Sequence, residues 1–92
     1  MISGECLDRN GFKLINSMES EYSVYSGEDL YFKSFISATL MCILVNGACA
    51  YFVSDLWNEH ENRNELNPIS ATICNDEDFE IALKYFDLGA II

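Results

Sequence analysis

The stretch TLMCILVNGACAYFVS, residues 39–54, places an apolar run on each side of Asn46-Gly47. Asn-Gly is the preferred pair for a two-residue type I′ hairpin turn, because both central positions need positive φ. Such a turn fixes the register: Val45 is expected opposite Ala48, Leu44 opposite Cys49, Ile43 opposite Ala50, Cys42 opposite Tyr51, Met41 opposite Phe52, and Leu40 opposite Val53. One face then carries Val45, Ile43, Met41, Ala48, Ala50 and Phe52, and the other Leu44, Cys42, Leu40, Cys49, Tyr51 and Val53. Both faces are apolar, so both need cover. Helices of the same chain can supply one cover; a further helix or a second copy supplies the other, and a homodimer is expected.

Outward from the hairpin, the elements are short. Phe12, Ile15, Met18 and Tyr22 recur at three- and four-residue steps, predicting a helix over 8–20 with Asp8 as its cap. Tyr22 and Val24 alternate with serines as a short strand that turns at Ser26-Gly27. LYFKSFIS, from Leu30, fits either period and is left open between helix and strand. LWNEHENRNELNP, ending at Pro68, is expected to be a loop or exposed helical turn anchored by Trp57. ISATIC alternates Ile69, Ala71 and Ile73 against Ser70 and Thr72 as a strand. A last helix begins at Asn75 as N-cap, carries Asp76, Glu77 and Asp78 in the first turn, buries Phe79, Ala82, Leu83 and Phe86, pairs Glu80 with Lys84, and stops at Gly89. The sum is a single α+β domain over residues 1–92, an antiparallel sheet built around a central β-hairpin with two or three helices packed on it, dimeric.

The bulk composition narrows the function classes. A chain of 92 residues holds one core, and 50% apolar content excludes a disordered acidic tail. Five Lys/Arg against fifteen Asp/Glu leave a formal charge of −10, which repels nucleic acid and anionic membrane and attracts basic surfaces. Cys6, Cys42, Cys49 and Cys74 follow no export-type N-terminus, and all four are expected to be reduced, in the cytoplasm. Ser34 to Ser54 lacks charge and is long enough for a membrane helix, an alternative weakened by Asn46-Gly47 near its middle.

No catalytic constellation is present. His60 stands alone in a charged segment, so no Ser or Cys has a histidine base held by a third group. The cysteines make no C-x-x-C knuckle, so no metal is expected. Asp76, Asp78, Glu80 and Asp87 fall on calcium-loop positions, but Ile81 occupies the place that needs glycine. Arg9, Lys13, Lys33, Arg63 and Lys84 are scattered singly, so direct nucleic-acid binding is not expected. The protein is expected to be a non-enzyme without cofactor.

What remains is the arrangement of carboxylates. Asp55, Glu59, Glu61 and Glu65 form one group, Asp76, Glu77, Asp78 and Glu80 a second, and Glu19, Glu21, Glu28 and Asp29 a third. Acids three or four apart on a helix lie about 5–6 Å from one another, comparable to neighbouring phosphates. A DNA-binding groove selects first for patterned negative charge. These acids are therefore the candidate partner-binding residues; ordinary solvated acidic faces are the bland reading of the same pattern.

In its short acidic chain, its Asn, Ile, Phe and Tyr content and its α+β pattern, the sequence resembles the DNA-mimic anti-restriction proteins of T-even bacteriophages. That resemblance covers the character of the whole chain and rests on no diagnostic motif. It implies inhibition, in the host cell, of a restriction endonuclease that cleaves modified-cytosine DNA, or capture of a nucleoid protein. YSGEDLYFKSF, residues 25–35, resembles the stretch leading to the inhibitory helix in the barstar and colicin-immunity inhibitors. That second likeness implies an inhibitor of a basic nuclease; the long apolar hairpin departs from it.

Overall fold

The computed structural model describes residues 1–15, 27–34 and 39–91. Among them, five strands form one antiparallel sheet whose spatial order is the chain order: β1 (Lys13–Leu14), β2 (Glu28–Ser34), β3 (Thr39–Val45), β4 (Cys49–Asn58) and β5 (Arg63–Pro68). Two helices complete the α+β fold, α1 (Gly4–Arg9) and α2 (Asp76–Ile91). Glu19, Glu21 and the strand expected at 22–26 lie outside the described residues.

The hairpin register differs by one residue from the one a two-residue loop dictates. Val45 pairs with Cys49, Leu44 with Ala50, Ile43 with Tyr51, Cys42 with Phe52 and Met41 with Val53. Asn46 and Gly47 both have positive φ, 52° and 67°, and the Ala48 N–H donates to the Val45 carbonyl at 3.0 Å. The tight turn is therefore formed, but Ala48 stays outside the ladder. Its carbonyl instead accepts the Ile2 N–H at 2.7 Å, so the chain's first residues claim the group that would have closed the expected pairing. Because side chains alternate with period two, one slipped residue exchanges the faces of β4 relative to β3. Leu40, Cys42, Leu44, Ala50 and Phe52 now share one buried cluster, and Met41, Ile43 and Val53 share another with Leu30.

The first cluster is the larger. It joins the sheet to Cys6 and Leu7 of α1, to Phe79 and Leu83 of α2, and to Ile2 and Phe12. Phe52 is its centre: its ring lies 5.2 Å from Phe79, 4.7 Å from Phe86 and 6.4 Å from Phe12. The second cluster, on the opposite face, has Ile15, Phe32, Val45, Tyr51 and Leu66 packed against it. Its members Leu30, Met41, Ile43 and Val53 are at most 8% exposed. The members of both clusters are buried within the single chain.

Several expected elements are placed differently. Ser3, not Asp8, caps the first helix, its hydroxyl accepting the Cys6 N–H. That helix ends at Arg9 because the chain reverses at Gly11, with φ 83°, so that Phe12 drops into the core; Lys13–Leu14 is strand rather than helix. LYFKS is resolved as strand within β2. The polar segment after Asp55 is no loop: β4 runs on to Asn58 and returns as β5. Trp57 does not anchor it, being 52% exposed. ISATIC keeps only one bridge, Ala50 with Ile73, since the Ser70 hydroxyl takes the Phe52 N–H that a strand carbonyl would have taken. α2 passes through Gly89 to Ile91.

The cysteines also depart from expectation. Cys49 and Cys74 form a disulfide, while Cys6 and Cys42 are free and buried. The expectation of four reduced thiols rests on the N-terminal sequence, which carries no information on the Ile73–Ala50 pairing that sets Cys74 beside Cys49. Among the described residues no helix is long and apolar enough to cross a membrane. The charge-free stretch read as an alternative span at 34–54 supplies instead β3, the turn and the first part of β4.

Candidate acidic binding surface

The first acidic group sits where α2 begins. Asn75 caps this helix, its side-chain oxygen accepting the Asp78 N–H at 2.8 Å. Negative charge in a first turn complements the helix dipole. Two of the acids are occupied by the chain's own N-terminal segment: Asp76 accepts from the Ser3 N–H and the Ser3 hydroxyl, each at 2.8 Å, and Glu80 pairs with Arg9 rather than with Lys84. The Ser3 N–H and hydroxyl hold the Asp76 carboxyl below its ordinary value, and the Arg9 hydrogen bond does the same for Glu80. Cys6, buried beneath this pair, has its thiol pushed up to about 11, first by burial and then by the charges of Asp76 and Glu80. Glu77 and Asp78 remain outward and exposed.

The second group lies on the ribbon formed by the outer part of β4 and β5. Among the described residues the pairing of β3 with β4 is seen as far as Val53, and beyond it β4 pairs with β5: Asp55 with Leu66, Leu56 with Glu65, Trp57 with Asn64 and Asn58 with Arg63. The Asn58 side chain closes the tip by accepting the N–H groups of His60 and Glu61 at 3.0 and 3.2 Å, and Asn62 takes positive φ. Arg63 reaches both Glu61 and Glu65. Glu59 projects from the tip, exposed. The ribbon also exposes two apolar side chains that the sequence reading did not single out as surface: Leu56, 60% exposed, and Trp57. Their signal was the absence of any apolar partner across the ladder, since Glu65 and Asn64 stand opposite them.

The third group is represented by Glu28 and Asp29, paired with Val45 and Leu44 beside the Asn46-Gly47 turn. The start of α2 is tied to that same end of the sheet through the Cys49–Cys74 bridge and the Ile73–Ala50 hydrogen bonds. The acids therefore gather in two places, one at each end of β4. β4 spans ten residues, which at ~3.3 Å per residue separates them by roughly 30 Å. No Lys or Arg among the described residues lies within ion-pair reach of Asp29, Glu59, Glu77 or Asp78.

Among the described residues no three His, Cys, Asp or Glu side chains converge as metal ligands. Both free thiols are buried in their protonated form, Cys42 pushed up to about 12 by burial. His60 stands exposed at the tip of the ribbon. No protein family, no curated protein and no solved structure matches the chain.

Proposed function

We propose that the protein is a non-catalytic acidic inhibitor that occupies the basic, DNA-binding surface of another protein, in the manner of a DNA mimic. The observation that carries this reading is that, among the described residues, exposed carboxylates without a cationic partner stand toward both ends of β4, Asp29, Glu77 and Asp78 toward one and Glu59 at the other. The separation of roughly 30 Å is comparable to one turn of B-DNA, about 34 Å. A groove built to hold two phosphate runs one turn apart would meet negative charge at both places. Pairing of Glu61 and Glu65 with Arg63, and of Glu80 with Arg9, removes these acids from the contact set and leaves two patches in place of a continuous stripe. A restriction endonuclease or a nucleoid protein of a host cell is the class of target in this reading.

The test is affinity capture from bacterial lysate with and without added duplex DNA. DNA-binding proteins retained on the immobilised chain should be released by duplex DNA, and their retention should fall steeply with salt. Reversal of Glu59 and Glu77 to Lys should abolish retention while leaving the fold intact, because both side chains are exposed. Retention indifferent to duplex DNA would favour an inhibitor of the barstar kind, and retention indifferent to salt would remove both readings.

A further inference from the structure

We propose that the β4–β5 ribbon is a docking arm whose anchor is Trp57, and that it takes an arginine-bearing apolar segment of a partner protein. This rests on the acidic-binder reading and adds to it the element that makes contact and the chemistry it selects. Residues 55–66 pair with one another in β4 and β5 beyond Val53, the last β4 residue paired with β3 among the described residues. Trp57 stands on the same face of the ladder as Val53 and Leu66, beyond Asp55, and is 52% exposed. Tryptophan is the side chain most enriched at interface hot spots, and its ring face attracts a guanidinium.

The charge of the arm chooses the occupant. Residues 55–66 carry Asp55, Glu59, Glu61 and Glu65 against the one guanidinium of Arg63. A second copy would bring the same excess of negative charge against it, and nucleic acid or an anionic membrane would be repelled likewise. A partner segment with arginines beside apolar residues satisfies both features at once: its apolar side chains cover the indole, and its guanidinium groups meet the ring face and the Glu59 carboxylate at the tip. Because the apolar contact is short-ranged and the carboxylates are screened by salt, part of the affinity should survive physiological ionic strength.

Trp57 is the single tryptophan of the chain, so its emission reports the arm alone. The experiment titrates the full chain with two labelled probes, an alternating arginine–leucine peptide and an oligolysine of equal charge, reading anisotropy for affinity and tryptophan emission for contact. The expected result is a blue shift with the arginine–leucine peptide and tighter binding of it than of oligolysine. Trp57→Ala should weaken that binding at least tenfold, Trp57→Phe should keep most of it, and Asp8→Lys, exposed on α1, should change it less than threefold. Equal binding of both probes with unchanged emission and no effect of Trp57→Ala overturns the docking arm and leaves the acidic-binder reading standing. Failure of both cationic probes to bind at low salt overturns both readings.

Discussion

Cys49 and Cys74 show how one residue's environment can be missed by spacing alone. Neither stands in a recognisable motif, and they meet because Ile73 bonds to Ala50 across the edge of β4, bringing the two neighbouring cysteines side by side. Closing a loop with a sequence separation of 25 removes unfolded-state entropy worth about 3.5 kcal/mol on the chain-entropy account. Cys6 and Cys42 are of the opposite kind: fully buried, and with thiols raised to about 11 and about 12, they present almost no thiolate near neutral pH. Titration of the oxidised protein with a thiol reagent should therefore find no rapidly reacting group in the native state and two after unfolding without reductant. Four thiols under those conditions would restore the reading in which every cysteine is reduced. Gly27 is a residue whose identity the backbone dictates: its φ is 84°, its carbonyl accepts the Asn46 N–H, and an added Cβ would stand 2.4 Å from the Asn46 side-chain oxygen.

At the scale of elements, α2 and the apolar hairpin were legible because each carries redundant signals. Asn75, the acids after it, and the stripe of Phe79, Ala82, Leu83 and Phe86 all agree on the same helix. Asn75→Ala should cost about 1 kcal/mol, read as a lowered midpoint in urea, because the Asp78 N–H loses its acceptor. The contact between α1 and α2 makes a second, pH-dependent prediction. Asp76 and Glu80 have folded-state values below their unfolded ones, so the stability they contribute is complete above the ordinary carboxylate range, about 4, and is lost as pH falls through their lowered values. Ser3→Ala should flatten the acid side of the unfolding profile by removing the donors' hydroxyl share for Asp76. An unchanged acid limb in that variant would mean the Ser3–Asp76 bond contributes nothing. What was not legible has a common physical cause. The hairpin register depended on Ala48 giving its carbonyl to Ile2, and the broken ISATIC strand on the Ser70 hydroxyl entering the ladder. The β4–β5 ribbon depended on an Asn58 side chain closing a polar tip. Each is a hydrogen bond to a group distant in sequence or hidden in a side chain, which hydrophobic periodicity does not encode. The candidate acids were legible as residues, but their division into two patches, and the capture of Glu61, Glu65 and Glu80 by Arg63 and Arg9, followed only from the fold.

For the whole molecule, the balance between apolar cover and net charge decides the state of association. The homodimer expected from the hairpin required an uncovered apolar face, yet Leu30, Met41, Ile43 and Val53 are buried within one chain. Among the described residues the large apolar groups that stay exposed are Met1, Leu14, Leu56 and Trp57 on opposite faces of the ribbon, Ile69 after β5, and Ile81 and Tyr85 on α2. Each copy also carries a formal charge of −10, so bringing two together costs repulsion that salt reduces but does not reverse. Analytical ultracentrifugation at micromolar concentration should therefore find a species near 10.4 kDa in both low and physiological salt. A dimer that strengthens with salt would point to apolar association held back by charge, and would place the contact at Trp57 or Tyr85. A dimer at every ionic strength would mean that the second core cluster opens to admit a partner, which its burial in a single chain argues against.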